Sequence, residues 1–360
     1  MKSPVMGPSV NESGYHFKVN DKGAIRFGMG AIKGVGGNAV NAIVEERNEN
    51  GPYRDLYDFF MRINYKLINK KTLEGLVLAG ALDEFGEEFH RACFFQEVHN
   101  GQTYLDQLVR FGQSYQESKD APPDLFGNAN AVTIKNPEPP LCPPWNELYL
   151  LNREKEVVGI YISGHPLDIY KHEIRFFKNT DLSELSSPED IRKSEIRIIG
   201  MITSVREFRD KKGNPFGRFI MEDFNGSHEF MLFRDDYKNH RKELIPNTFV
   251  YARCAMKPLP WNRDQKELKI LKIGALDDIL KTETKEVLIQ SRLEDISSEM
   301  IAELEELMKD QKGTLSFKFK VIDSAANFSV DLISKKFKVE ANSEILDRLE
   351  KIHPLRVQLN

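Results

Sequence analysis

The sequence predicts a multidomain α+β chain: a helical first domain, a five-stranded β-barrel and a small α+β domain at the end. Three observations predict it. Before residue 115, apolar residues recur every three to four positions, the period of a helix face. From residue 195 the period changes to two, as in half-buried strands. Between them, residues 115–146 hold seven of the 17 prolines. Proline at that density lacks amide donors for a helix or ladder, so this stretch reads as an extended linker. The expected divisions are 1–114 helical, 115–146 linker, 147–191 connecting helices, 192–276 barrel and 277–360 terminal α+β domain.

In the first division, Lys33-Gly34-Val35-Gly36-Gly37-Asn38 forms a glycine bend feeding a helix whose Ala39, Val40, Ile43 and Val44 share one face. Glycines without Cβ let backbone N–H groups approach a large anion, and a helix start adds partial positive charge. A second helix start, Asn69-Lys70-Lys71-Thr72 followed by Leu73, Leu76 and Val77, comes about 35 residues later. Two such features in tandem suggest a grip on a duplex backbone. Two other readings stay open. Gly34-x-Gly36-x-x-Ala39 also fits a dinucleotide fingerprint, which needs a buried strand before it and an acid ~20 residues on. A tight turn between two packed helices needs neither. The rest of this division is expected to be helical, ending in a helix from Arg91 to Phe111.

Beyond the prolines, Trp145 to Ile160 reads as one charged helix, closed by Ser163-Gly164-His165-Pro166 with Gly164 as its cap. His165 is read as a cap-region residue rather than a catalytic one. Ile196 to Ile202 is a strand, and Gly217–Glu222 with Glu229–Phe233 is a hairpin turning at Asn225-Gly226. Asp235 to Leu244 is a short helix, then Phe249–Ala255 and Glu267–Ile273 are strands. Three strands, a helix and two strands is the order of the OB-fold barrel. Its first long loop, Arg206 to Pro215, holds Phe208, Arg209, Lys211 and Lys212, and its last pairs Trp261 with Arg263. With Arg218, these form the candidate single-strand site, where charge tracks the backbone and rings stack on bases. The bland alternative is a solvated basic hairpin. Phe219, Phe230 and Phe233 are assigned to the barrel interior.

Charge agrees with local polyanion contact. The chain is −4 overall, but residues 192–275 carry +7 while 1–114, 115–191 and 276–360 carry −1, −6 and −4. Cys93, Cys142 and Cys254 are too few and scattered for a disulfide scaffold or zinc site, which suits a reducing cytoplasm. No run of ~18 apolar residues exists, so no membrane span is expected.

Taken together, these stretches closely resemble the C-terminal part of the alpha-subunit family of bacterial DNA polymerase III, a replicative polymerase. The matching segments are Val10 to Ser13, Ile25 to Gly36, Asn69 to Leu76 with Ala79 to Asp83, and Ser163 to Asp168. The resemblance covers nearly the whole chain in the family's domain order. It implies the end of the fingers region, tandem helix-hairpin-helix motifs holding duplex DNA, an OB-fold and a small tail domain. Lys33, Gly34, Val35, Gly36, Gly37, Asn38, Asn69, Lys70 and Lys71 are the candidate duplex contacts.

The family also binds its sliding clamp through a short Gln-x-(Asp/Ser)-Leu-Phe-like peptide. Asp124-Leu125-Phe126 matches its hydrophobic end, with Pro122 where the glutamine stands. That apolar pair packing on its own domain is the other reading. By resemblance, the last domain docks the clamp-loader tau subunit.

The family's clustered palm aspartates, which hold two metal ions, have no counterpart here. Asp235-Asp236 and Asp277-Asp278 read as helix-start caps. No catalytic residue, metal site or cofactor is therefore expected in this chain. The resemblance implies a truncation that leaves the active site and its Mg2+ upstream of Met1. Two alternatives remain: a protein-docking module of the replisome with incidental DNA contact, and an RNA-binding OB-fold protein.

Overall fold

The computed structural model describes residues 5–20, 22–120, 134–187, 191–259, 262–309, 311 and 313–360. They form two compact units that divide between Pro166 and Leu167.

The first unit opens with three short strands, β1 (Val5–Met6), β2 (Lys18–Val19) and β3 (Ile25–Arg26), in the order β1-β3-β2. Helices α1 (Gly37–Asn50), α2 (Leu56–Arg62) and α3 (Lys70–Leu78) follow. Their apolar faces meet in one core that includes Val40, Ile43, Phe59, Phe60, Leu73 and Leu76. Asp55 caps α2 by accepting from the Asp58 amide at 2.8 Å, and Asn69 caps α3 by accepting from the Thr72 amide at 3.0 Å.

The single helix expected from Arg91 to Phe111 is two. Helix α4 (Arg91–Phe95) gives way to a hairpin of β4 (Glu97–His99) and β5 (Gln102–Thr103), and α5 (Tyr104–Asp120) follows. Asn100 and Gly101 both have positive φ, 48° and 76°, the conformation of an Asn-Gly hairpin turn, which stops a helix. After the residues that are not described, 134–146 has no regular secondary structure but does not hang free. The Pro137 carbonyl accepts from the hydroxyls of Tyr57 (2.9 Å) and Tyr104 (3.1 Å), and Trp145 stacks on Phe95.

Helix α6 (Glu147–Val158) ends at Gly159, not Gly164; Gly159 is left-handed (φ 86°) and donates to the Lys155 carbonyl at 2.8 Å. Glu154 in α6 is wholly buried and binds Arg91 at 2.9 Å, which ties α6 to the first unit. This explains why the expected 147–191 division splits at Pro166.

In the second unit, α7 (Lys171–Phe177) precedes β6 (Ile196–Arg209), β7 (Pro215–Glu222) and β8 (Ser227–Phe233). Then come α8 (Arg234–His240), β9 (Thr248–Leu259) and β10 (Asn262–Ala275). The sheet order β10-β9-β6-β7-β8 puts the first strand between the second and fourth, the OB-fold arrangement. Among the described residues β8 and β10 do not pair, so the barrel stays open along that side. Tyr237 of α8 is buried over Gly217, where an added Cβ would lie 2.3 Å from the ring.

The chain finishes with α9 (Ile279–Glu283), β11 (Glu286–Arg292), α10 (Ser298–Lys309), β12 (Leu315–Asp323), β13 (Phe328–Val339), α11 (Ser343–Lys351) and β14 (Arg356–Leu359). Sheet order is β13-β12-β11-β14, with β11 parallel to β12 and antiparallel to β14. Strand β11 is absent from the sequence reading, yet it is central, and its Val287 and Ile289 are fully buried. Helix α7 joins this core through His172, which lies 2.8 Å from Asp347 of α11. No described helix is long and apolar enough to cross a membrane.

Candidate nucleic-acid interface

Helix α1 begins without a side-chain cap. Its N-cap, Gly36, has no side chain to fold back on the first turn, and that turn contains no acidic residue. Helices α2, α3, α6 and α11 each use an Asp or Asn side chain there. Among the described residues, the amides of Gly36, Gly37 and Asn38 therefore meet no acceptor, and Gly36 and Asn38 are exposed. Open donors at the positive end of a 14-residue helix favour an anion.

The second helix start is brought against this bend. The Thr72 hydroxyl donates to the Gly34 carbonyl at 3.3 Å. Gly75 lets the two elements close up, because a Cβ there would lie 3.1 Å from the Lys33 carbonyl oxygen. The Lys71 side chain runs beside Gly34, whose φ is +87°, and both Lys33 and Lys71 are exposed. Tyr15, which the sequence reading overlooks, stands on the other side; a Cβ on Gly37 would lie 3.4 Å from its ring. The signal for it is Gly28-x-Gly30, since Gly28 packs against the backbone at Tyr15–Phe17 and Gly30 against the Tyr15 ring.

Three candidates in this group do other work. Val35 is buried in the core, and its amide donates to Ile32. Asn69 uses its carboxamide oxygen as the α3 cap. Lys70 is paired with Asp106 at 2.7 Å. Burial acts to raise the Asp106 pKa, but hydrogen bonds from Lys70 and Thr103 outweigh it and hold it below the usual range.

In the OB-fold, Phe208 and Arg209 lie in β6 rather than in a loop, because the hairpin continues to the turn at 210–214. Asp210 closes that turn by accepting from the Lys212 and Asn214 amides, both at 2.8 Å, and leaves Lys211 and Lys212 exposed at the tip. Phe219 and Phe230 are buried as expected. Phe233 is not: it is 53% exposed. Positions 230 and 233 are three apart, and on a strand an odd spacing sends the two side chains to opposite faces. Phe233 instead joins Phe216 and Phe208 on the outer face, and the Arg218 guanidinium lies 5.6 Å from the Phe208 ring centre. Arg218 also faces Glu229 at 3.5 Å. Trp261, the side chain of Arg263, and Asp124, Leu125 and Phe126 lie outside the described residues.

The paired aspartates stand at helix starts, with Asp278 at the N-cap of α9 and Asp235 and Asp236 in the first turn of α8, but none makes a side-chain capping bond. Helix α8 has Phe233 at its N-cap without a side-chain bond; Asp235 faces Lys238 and Asp236 faces Lys269. Asp277 accepts from the Tyr170 hydroxyl at 2.5 Å. His172, Asp347 and Glu350 are close enough together to share an ion, but Lys171 and Arg175 already neutralise the two carboxylates. His165 packs edge-on against Tyr161 at 5.1 Å.

Comparison with known proteins separates the readings. A helix-hairpin-helix motif model matches residues 2–92, and the model of the DNA polymerase III alpha subunit, C-terminal domain, matches residues 287–360. The DNA polymerase III subunit alpha of Pseudomonas fluorescens is 30% identical over 329 residues, covering 87% of this chain and 27% of the relative. The chain belongs to the DNA polymerase III alpha-subunit family. Within that family, the Escherichia coli K12 protein is 34% identical over 67% of this chain and 20% of its own length, and the Vibrio cholerae protein 34% over 64% and 19%. The chain thus spans about a quarter or less of the length of these relatives. A mitochondrial single-stranded DNA binding protein of S. cerevisiae, Rim1, aligns to 23% of the chain at 17% identity with a TM-score of 0.18, too slight to bear on function.

Proposed function

We propose that this chain holds DNA for a bacterial replicative polymerase and docks its partners, without itself joining nucleotides. The single observation that carries the reading is the pairing of unoccupied α1 amides at Gly36, Gly37 and Asn38 with the exposed Lys33 and Lys71. Such a site takes phosphate and reads no base. Affinity for duplex DNA is then independent of sequence and falls with salt by roughly 0.9 log units per log unit of salt for each phosphate neutralised.

On the second unit, Arg209, Lys211, Lys212 and Arg218 with Phe208 guide single-stranded template, supported by the +7 charge of residues 192–275. Asp124-Leu125-Phe126 binds the sliding clamp, with Leu125 and Phe126 as its apolar anchors. The terminal domain docks the clamp-loader tau subunit. Its edge strand β13 leaves Phe328, Val330, Leu332 and Ile333 exposed, which suits a protein partner. Asp235 and Asp236 face lysines and Asp277 accepts from Tyr170, which supports a holding rather than a catalytic role.

The test is fluorescence anisotropy of the full chain with two unrelated duplexes and a single strand across a salt series, beside a primer-extension assay. Equal duplex affinities with a steep salt slope and no extension support the proposal. Salt-insensitive binding, or template-directed synthesis by the chain alone, contradicts it.

A further inference from the structure

Phe208, Phe216 and Phe233 sit directly opposite one another on three adjacent strands. Their rings are stacked, with centroids 5.3 and 5.4 Å apart and planes inclined by 19° and 27°. The stack crosses the outer face from β6 to β8, and β8 is the sheet edge, so the last ring has a ring neighbour on one side only. The next row in register is Arg206, Arg218 and Met231. Arg234 follows Phe233 with φ 48°, a left-handed conformation that a long side chain adopts at a cost, and such outliers gather at binding sites. It lies within electrostatic reach of Asp210, in the turn that carries Lys211 and Lys212.

We propose that the outer face of Phe233 is a base-stacking site for single-stranded DNA, in which a nucleobase extends the three-ring stack while Arg234 and Arg218 meet the flanking phosphates. The proposal rests on the reading of this sheet as a single-strand guide, and adds to it the stacking residues and the direction of the stack. Phe208 and Phe233 are exposed on either side of the half-buried Phe216, and exposed rings at both ends of a stack are costly unless something covers them. Around this row stand Arg206, Arg218, Arg234, Lys211 and Lys212, in a segment of net +7. Cations around π faces match a polyanion with flat bases better than they match an apolar protein surface. A base has a π face whatever its identity, so the site is tolerant of sequence.

The experiment uses the full chain and two fluorescent oligonucleotides of equal length, one oligo-dT and one abasic, titrated by anisotropy. Wild type is expected to bind oligo-dT roughly tenfold more tightly than the abasic strand, one base stack being worth about that much. Phe233→Ala should erase that difference while leaving the abasic affinity unchanged, and Phe233→Trp should restore it. Phe233 is exposed, so the alanine variant is expected to keep its fold, which circular dichroism checks. If wild type binds both strands equally, or Phe233→Ala weakens neither, the stacking site is overturned while the electrostatic guide stands. If neither strand binds at all, the single-strand reading itself fails and takes the proposal with it. If Phe233→Ala spares both oligonucleotides but disrupts a complex with another protein chain, the face belongs to a protein and the proposal is overturned.

Discussion

Thr72 donates its hydroxyl to the Gly34 carbonyl across 3.3 Å, which ties the start of α3 to the bend that precedes α1. The two basic segments, 38 residues apart in sequence, thereby become one site. Removing the bond by Thr72→Val, which keeps the shape, should cost about 1 kcal/mol. Gly34→Ala should cost at least as much, since φ +87° strains any side chain. Urea unfolding followed through Trp145, with Trp261 replaced by Phe, reads both; an unchanged midpoint in both variants would refute the coupling.

The lysines at the bend should divide by partner. Lys33→Glu and Lys71→Glu are each expected to weaken duplex binding of every sequence alike and to reduce the salt slope by about one unit. Lys70→Glu, which loses its pair with Asp106, is expected to act more on stability than on the salt slope. Anisotropy with one duplex over a salt series separates them. Equal slopes for all three variants would contradict the assignment.

Acid sensitivity of the first unit should trace in part to Glu154. Burial acts to raise its pKa, but hydrogen bonds from Ser163 and Ile162 and the pairing with Arg91 outweigh it and hold the carboxyl below its ordinary value. A depressed folded pKa means the stabilisation is present above the unfolded value, ~4.3 for a free glutamate, and is lost as pH falls through the folded one. Glu154→Gln should lower stability at pH 7 by about 3 kcal/mol, as for other broken buried pairs. Its curve should then converge with wild type in acid. Parallel curves of unfolding midpoint against pH would refute this.

Replacing Lys211 and Lys212 with Glu should weaken single-strand binding more than duplex binding. Both lysines stand at the tip of the β6–β7 hairpin, beyond Phe208 and Arg209. Competition between the two DNA forms on the double variant checks it, and the reverse order would contradict the division of labour.

What could be read in advance was local. Gly34 announces a bend because its φ of +87° is one that side chains rarely adopt, and the alternation after 195 announces strands because pleated backbone has period two. Asn100-Gly101 also carries a local turn signal, hidden within a stretch whose apolar spacing suits a helix. Partnerships across the chain were not legible. Lys70 looks like a free cation until Asp106 arrives beside it, and Asn69 looks like a contact residue until its cap bond forms. Phe233 illustrates a third case: the strand reading alternates it into the interior with Phe219 and Phe230, whereas its odd spacing from Phe230 requires the opposite face. Strand β11 was passed over although it is central to the last sheet, because its register with β12 and β14 is set by segments far away in sequence.

The central claim is that main-chain amides at the start of α1 hold a phosphate backbone. Uniform 15N-glycine labelling of the full chain, with Gly36 and Gly37 resonances assigned by single Gly→Ala variants, tests it during titration with duplex DNA. The account predicts that these two amides shift strongly and saturate with the duplex, while Gly159, whose amide is already bound to Lys155, stays in place. Saturated binding with Gly36 and Gly37 unmoved would contradict it.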